Sequence, residues 1–321
     1  MKLPEVTPVT EETAAAIAAR HGLRMDGFEP LAHAGIINSV FALGQDYVLR
    51  VPRNHPAHAT QARREAAAIP LAAAAGVRTP RLIAFDDSGD ILPVPYLVVE
   101  RIRGTNLESL ALDPPSPSQA WHELGRDLAR LHIGDGGAGA AGGLESIGDD
   151  EVADPRALVE RRVADGWISS IEARRLERWL DRLAPYATRP GPNRIVHADV
   201  QMSNLLVDRQ TFDYRALIDW GCAARADSAF DFLAMPMAAV PLLLAAHREV
   251  APLDDDDAAE ARILWRRLQL TLGVLPRGAA PGCSWGERPV AWLLDLVGFF
   301  LDPPPPEPWR SLGPGGWPGG R

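Results

Sequence analysis

Two polar breaks in otherwise apolar sequence constrain this chain most. In "RIVHADVQMSNLLV" the octet His197–Asn204 separates two strand-like runs, and in "ALIDWG" a third run ends in Asp219, fifteen positions after Asn204. A polar octet is ordinarily a solvated loop, and an Asp and an Asn separated by four residues recur by chance in long chains. The strand ends carry more information. Two runs joined by a short hairpin would bring Asp199, Asn204 and Asp219 side by side, which implies antiparallel pairing at this point.

The rest of the chain divides in two around Gly104. Before it, short strand-like runs alternate with turn signals: "LAHAGIINSVFALGQDYVLRVPR", with "GQD" as a tight connection, then "RLIAF" and "PYLVVERI" separated by "DDSGD". Between these lies an Ala-rich helical stretch over 60–75, in which Pro70 should kink or split the helix. This part reads as a small antiparallel sheet with one helix against it. After Gly104 the pattern is helical, as in "SQAWHELGRDLARLH", which places Leu124, Leu128 and Leu131 on one face. "GDGGAGAAGG" at 134–143 offers almost nothing to bury and reads as a flexible segment preceding a surface insertion. Asp154-Pro155 is a helix start. The Pro- and Gly-rich tail from Pro303 cannot continue a helix, so partial disorder is expected there. The expected architecture is α+β and bilobal: a sheet lobe over 1–99, a hinge at 100–104, a helical lobe over 105–302, and the tail 303–321.

The 321 residues suffice for two lobes with cores of their own. Lys and Arg number 33 against 42 Asp and Glu, a formal charge of −9, which disfavours nucleic acid or an anionic membrane as partner and favours a cationic small ligand over an anionic one. A solvated acidic surface accounts for the same charge without any ligand. The two cysteines, Cys222 and Cys283, are far apart and suggest neither a disulfide framework nor a zinc site. "MKLPEVTPVTEE" lacks the apolar core of a secretion signal, and "AMPMAAVPLLLAA" is too short to span a bilayer, so a cytoplasmic protein is expected. Lys2 is the only lysine. Any buried cation that grips phosphate must therefore be an arginine.

The spacing His197, Asp199, Asn204, Asp219 matches the kinase plan, in which an Asp orients or accepts the proton of a hydroxyl while an Asn and a second Asp bind magnesium through hard oxygen atoms. In "YVLRVPR" strand alternation puts Val48 and Arg50 on one face and Tyr47, Leu49 and Val51 on the other. Arg50 then points into a cleft with Glu65, in "RREAAAIP", as its natural partner, where kinases use a Lys–Glu pair. "AHAGIINSVF", with Gly35, occupies the place of a glycine-rich loop and is by itself an ordinary hairpin turn.

With these residues the sequence resembles the aminoglycoside/macrolide phosphotransferase family, of protein-kinase-like fold, over roughly residues 15–245. "VLRVPR", Glu65, "VVERIRG", "LARLH", "HADVQMSN", "LIDWG" and "ADSAFD" carry the resemblance, and "VLRVPR" is close to macrolide-type members. The resemblance implies Asp199 as catalytic base, Asn204 and Asp219 as Mg2+ ligands, Arg50 and Glu65 as the phosphate grip, and the backbone of Glu100 and Ile102 at the adenine. Val48 and Gly35 would complete the nucleotide site. It further implies ATP or GTP as co-substrate and a small-molecule hydroxyl as acceptor. Three positions depart from the family pattern: Arg50 for Lys, Ala198 for Gly and Ser228 for Pro.

Other residues have plainer readings. His197 hydrogen-bonds the loop; Asp227 and Asp231 cap or brace a helix; Asp254–Asp257 oppose the dipole of the helix "AAEARILWRRL"; Trp265, Trp285 and Trp292 are core or pocket wall. Two rival functions are a metabolic kinase of an amino alcohol or sugar, and a nucleotide-binding module without catalysis.

Overall fold

The alternation in "YVLRVP" builds the N-terminal lobe. The computed structural model describes residues 4–31, 37–134, 144–147, 154–187, 193–278, 285–301 and 303–315. In it β3 (Tyr47–Pro52) is the middle strand of a five-stranded antiparallel sheet with β1 (Phe28–Pro30), β2 (Asn38–Leu43), β4 (Leu82–Asp86) and β5 (Tyr96–Glu100), in the order β1-β2-β3-β5-β4. Leu49, Val51, Tyr96 and Val98 face one side, where they pack with Ala14 and Ile17 of α1 (Glu11–Arg20). Val48, Leu97 and Val99 face the other and join the larger core, which includes Ala68, Ile69 and Ala72 of α2 (Pro56–Ala74). The sheet is thus covered by two helices, not one; α1 is capped by the Thr10 hydroxyl, which accepts from the Thr13 amide. Gly44, in the β2–β3 turn, has φ +62, and a Cβ there would lie 2.2 Å from an Asp26 carboxylate oxygen, so the turn needs glycine.

Pro70 does not split α2, which runs unbroken to Ala74. It sits on the exposed side of the helix, where the carbonyl one turn back that loses its partner can bond water.

Residues 101–104 lead into β6 (Thr105–Asn106), which pairs with β8 (Leu205–Val207), itself paired with β9 (Tyr214–Leu217). A separate ribbon joins β7 (Arg194–Val196) to β10 (Ala224–Ala226). Around these lie α3 (Ser118–Ile133), α4 (Pro155–Ala164), α5 (Ser170–Ala187), α6 (Val240–Val250), α7 (Ala259–Val274), α8 (Pro289–Leu301) and α9 (Trp309–Leu312). Leu124, Leu128 and Leu131 of α3 are buried as their spacing predicts, and the Asp154 carboxylate accepts from the Arg156 amide to start α4. Among the described residues no helix is long and apolar enough to cross a membrane.

Two expectations are refined here. In the tail, residues 303–315 pack on the helical lobe: Trp309 is buried and the Trp179 indole donates to the Leu312 carbonyl at 2.7 Å. One large aromatic ring supplies the burial that the surrounding prolines and glycines lack. The Asp254–Asp257 run acts through ion pairs more than through a helix dipole, because Asp254 binds Arg194 through both oxygens at 2.8 and 2.9 Å and Asp256 binds Arg248 at 3.0 Å. The glycine-rich stretch at 135–143 and Cys283 lie outside the described residues.

Gly125 sets how closely α3 and α6 approach, since a Cβ on it would lie 2.3 Å from the Leu243 carbonyl oxygen and 3.0 Å from the Ala246 Cβ. Ala improves helix propensity by about 0.5–1 kcal/mol, less than the roughly 1–3 kcal/mol of overpacking against a backbone that cannot swing away. Gly125→Ala should therefore lower the denaturation midpoint; an unchanged or raised midpoint in urea would show that the helices separate at no cost.

Candidate active site

The octet between β7 and β8 is held from behind by one carboxylate. Asp231, fully buried, accepts the amide of His197 at 3.0 Å and that of Ala198 at 2.7 Å. Ala198 takes a left-handed conformation, φ +60, which explains why the family pattern has glycine there. The two amides are aimed at Asp231 in that conformation, so the ion-dipole contacts offset the strain of a Cβ. His197 is buried, donates Nε2–H to the Ile218 carbonyl at 3.0 Å and accepts the Asp199 amide at Nδ1, with its ring 4.5 Å from Trp220. Burial holds its pKa below the ordinary value, so it is a neutral structural histidine. Asp231 braces this loop rather than a helix, whereas Asp227 accepts the Ala229 amide as a cap.

Asp199 presents its carboxylate between two amide donors. Gln201 Nε2 donates to Oδ1 at 2.9 Å and Asn204 Nδ2 donates to Oδ2 at 3.0 Å. Burial pushes the Asp199 carboxyl up to about 7, with the charge of Asp219 adding to the rise and the two amides opposing it. The carboxylate is thus near the basicity a general base needs at neutral pH.

Asn204 and Asp219 meet because β8 and β9 are paired: Leu205 faces Leu217, and the Ile218 amide donates to the Asn204 carbonyl at 3.0 Å. From the other lobe Arg50 reaches into the same place, its Nε 3.1 Å from Glu65 Oε2 and its Nη2 2.9 Å from Asp219 Oδ1. Burial and the nearby Asp219 push the Glu65 carboxyl up while Arg50 pulls it down. Arg50, Glu65 and Asp219 border an interlobe cavity of about 470 Å³ whose lining also includes Val48, Glu100 and Ile102, while Asn204 and Asp199 lie beside that lining. Gly35 lies outside the described residues.

The donor set suits a hard divalent cation. With its Nδ2 spent on Asp199, Asn204 has Oδ1 left to offer, and the half-exposed Asp219 adds a carboxylate. Among the described residues no three His, Cys, Asp or Glu side chains form a protein-only cage. Magnesium does not require one, because it takes one or two protein oxygens and fills its shell with phosphate and water.

Sequence reasoning did not single out Gln201 as a partner of Asp199. It read Trp285 and Trp292 as core or pocket wall without placing them beside Gln201, where a Cβ on Gly286 would lie 2.5 Å from Gln201 Oε1. Trp292 donates to the Gly286 carbonyl at 2.9 Å, packs 4.6 Å from Trp285 and lies under the Arg267 guanidinium at 4.3 Å. Alternation along the paired strands could have found Leu206 and Ile218, which also line the cavity, but contacts between residues 201 and 286 have no local signature.

The fold that carries this arrangement is shared with known proteins. The structure of the GDP complex of wild-type aminoglycoside 2'-phosphotransferase-IIIa superposes with a TM-score of 0.65 at 17% identity, covering 90% of this chain and 99% of that one. The apoenzyme of a macrolide 2'-phosphotransferase, MphH from Brachybacterium faecium, superposes with a TM-score of 0.56 at 23% identity, covering 91% and 98%. A streptomycin–ATP ternary complex of an aminoglycoside phosphotransferase gives 0.55 at 14% identity, covering 91% and 97%. These likenesses establish the kinase-like α+β fold. The profile of the phosphotransferase enzyme family matches residues 28–270, and the chain belongs to that family.

Proposed function

We propose that this small-molecule phosphotransferase moves the terminal phosphoryl group of ATP or GTP to a hydroxyl group of a bulky cationic acceptor. The observation that carries the reading is the Arg50 guanidinium joined to Glu65 and Asp219 at the cavity, beside the loop that bears Asp199 and Asn204. Val48 and the backbone of Glu100 and Ile102 would hold the base. Arg50, kept extended by Glu65, would bind phosphate oxygens as a planar fork. Asn204 and Asp219 would hold Mg2+, which when bound offsets phosphate charge. Asp199 would accept a hydrogen bond from the acceptor hydroxyl and take its proton as the oxygen attacks the terminal phosphorus and the nucleoside diphosphate departs. Such a transfer depends on positioning and charge more than on covalent chemistry. Relatives bound to GDP and to ATP make either nucleotide reasonable.

For the acceptor we favour a macrolide-like molecule over an aminoglycoside. The formal charge of −9 attracts a cation, and Trp285 and Trp292 give the region beside Gln201 an apolar wall. Acids that a polyamine would need are already matched: Asp227 by Arg262, Asp254 by Arg194, Asp256 by Arg248 and Asp295 by Arg267. The test is turnover across a panel of macrolides, aminoglycosides and small metabolic alcohols at several ionic strengths. The expected substrate is an apolar monocation whose KM changes little with salt, whereas a polycation would lose affinity steeply. Turnover of aminoglycosides alone, or only of small neutral alcohols, overturns the acceptor class and leaves phosphoryl transfer standing.

A further inference from the structure

Three hydrogen bonds run in line behind the loop that carries Asp199. Asp231 Oδ2 lies 2.9 Å from His132 Nε2, His132 Nδ1 lies 3.0 Å from His247 Nε2, and His247 Nδ1 lies 2.9 Å from the Ala251 carbonyl oxygen. None of the three side chains is more than 3% exposed. A carbonyl can only accept, and Asp231 already receives two backbone amides as a carboxylate does. Each of the three gaps therefore needs a proton of its own. Two neutral imidazoles bring one N–H each, which leaves one gap with lone pairs facing.

We infer that the line holds one proton more than an ionised Asp231 and two neutral histidines would carry, with His132 a buried imidazolium, and that His247 is a positioning residue for the Asp199 loop. His132 then donates from both nitrogens, to Asp231 on one side and to neutral His247 on the other. His247 spends its single N–H on Ala251. The buried Asp231 charge gains a cation, and no buried polar atom in the line is left unpaired.

The surroundings agree. From the loop before α7, Asp254 and Asp256 face the pair, and both acids favour a cation there. Arg248 on α6 is matched by Asp256 and Glu260, and His197 on the loop is neutral. Burial, followed by the nearby charge of His132, pushes His247 down to about 3, as expected for the neutral member of such a pair. His247 thus supports Asp199 at one remove: it sets the protonation of His132, His132 holds Asp231, and Asp231 holds the amides of His197 and Ala198.

No turnover is needed for the first test. Nitrogen NMR of the full chain at pH 8, where an ordinary histidine is neutral, should show both nitrogens of His132 protonated and His247 protonated at Nδ1 alone. Two neutral imidazoles at that pH overturn the inference. The second test compares His247→Leu with His247→Gln, because a glutamine oxygen can accept from His132 while its amide donates to Ala251. The Leu variant should lose the imidazolium signals and about tenfold in kcat for magnesium-dependent ATP turnover, with KM for ATP held within about twofold. The Gln variant should restore both. A Leu variant with wild-type signals and kcat, or a Gln variant no better than Leu, overturns it. Should the Leu variant fail to fold, the wild-type spectrum decides.

Discussion

Asp199→Asn is expected to fold, to bind nucleotide with near wild-type affinity, and to turn over about two to four orders of magnitude more slowly, the usual worth of a general base. The side chains are nearly isosteric. Asn204 can still donate to the remaining oxygen, and Gln201, whose amide can flip, can turn its own oxygen toward the new NH2 group. Removing a buried charge close to Asp219 leaves one repulsion fewer, so the melting temperature should not fall. The loss should appear in kcat and in kcat/KM alike, because the proton is accepted only as the transition state forms. Turnover close to wild type in a folded variant, measured with the acceptor that the panel identifies, would remove Asp199 from this role.

Arg50→Ala should be the most damaging single change in the sheet lobe. It strips Glu65, which is 3% exposed, of its cation and takes a donor from Asp219. Breaking a buried pair by removing one partner costs about 3–5 kcal/mol, and the lower end applies here because Glu65 already leans toward taking up a proton. Triphosphate affinity, measured by titration calorimetry, should fall by about two orders of magnitude, the scale for truncating one side of a buried charged contact. Arg53→Ala is the control: Arg53 donates to the Pro4 carbonyl at 3.1 Å and is absent from the cavity lining, so nucleotide affinity should barely change. Arg50→Lys should fall between, since an ammonium cannot reproduce the fork that meets Glu65 and Asp219 at once. Equal losses for Arg50→Ala and Arg53→Ala would mean that Arg50 does not grip phosphate.

The parts of this site that were legible in the sequence are those set by local geometry. Alternation in β3 gives the facing of Val48 and Arg50, and a hairpin between β8 and β9 brings Asn204 to Asp219. The cap at Asp154 and the turn at Gly44 follow from single residues whose chemistry demands them. What escaped depends on partners remote in sequence. Asp231 reads as a helix brace until the fold brings the His197 and Ala198 amides to it, more than thirty residues away. Gln201 reads as loop polarity until it meets Asp199 and the space left by Gly286. Pro70 was legible only in part: it leaves the helix unbroken, and its exposed position lets the carbonyl that loses its partner face water. In the tail, composition counted the prolines and glycines and gave no weight to one tryptophan, Trp309, with a place to go.

The Arg50 bridge between Glu65 and Asp219 also bears on what the resting cleft will admit. One guanidinium there is already answered by two carboxylates, with Asp199 close behind, so at this point the cleft holds more acid than base. A polyphosphate entering it meets acid as well as arginine. It can settle only by trading places with those carboxylates on Arg50 and by bringing counter-ions that the carboxylates then share. On the proposed function, the cleft should therefore take up a polyphosphate already neutralised by cations more readily than the bare polyanion, because the side chains that would hold the cation repel the latter.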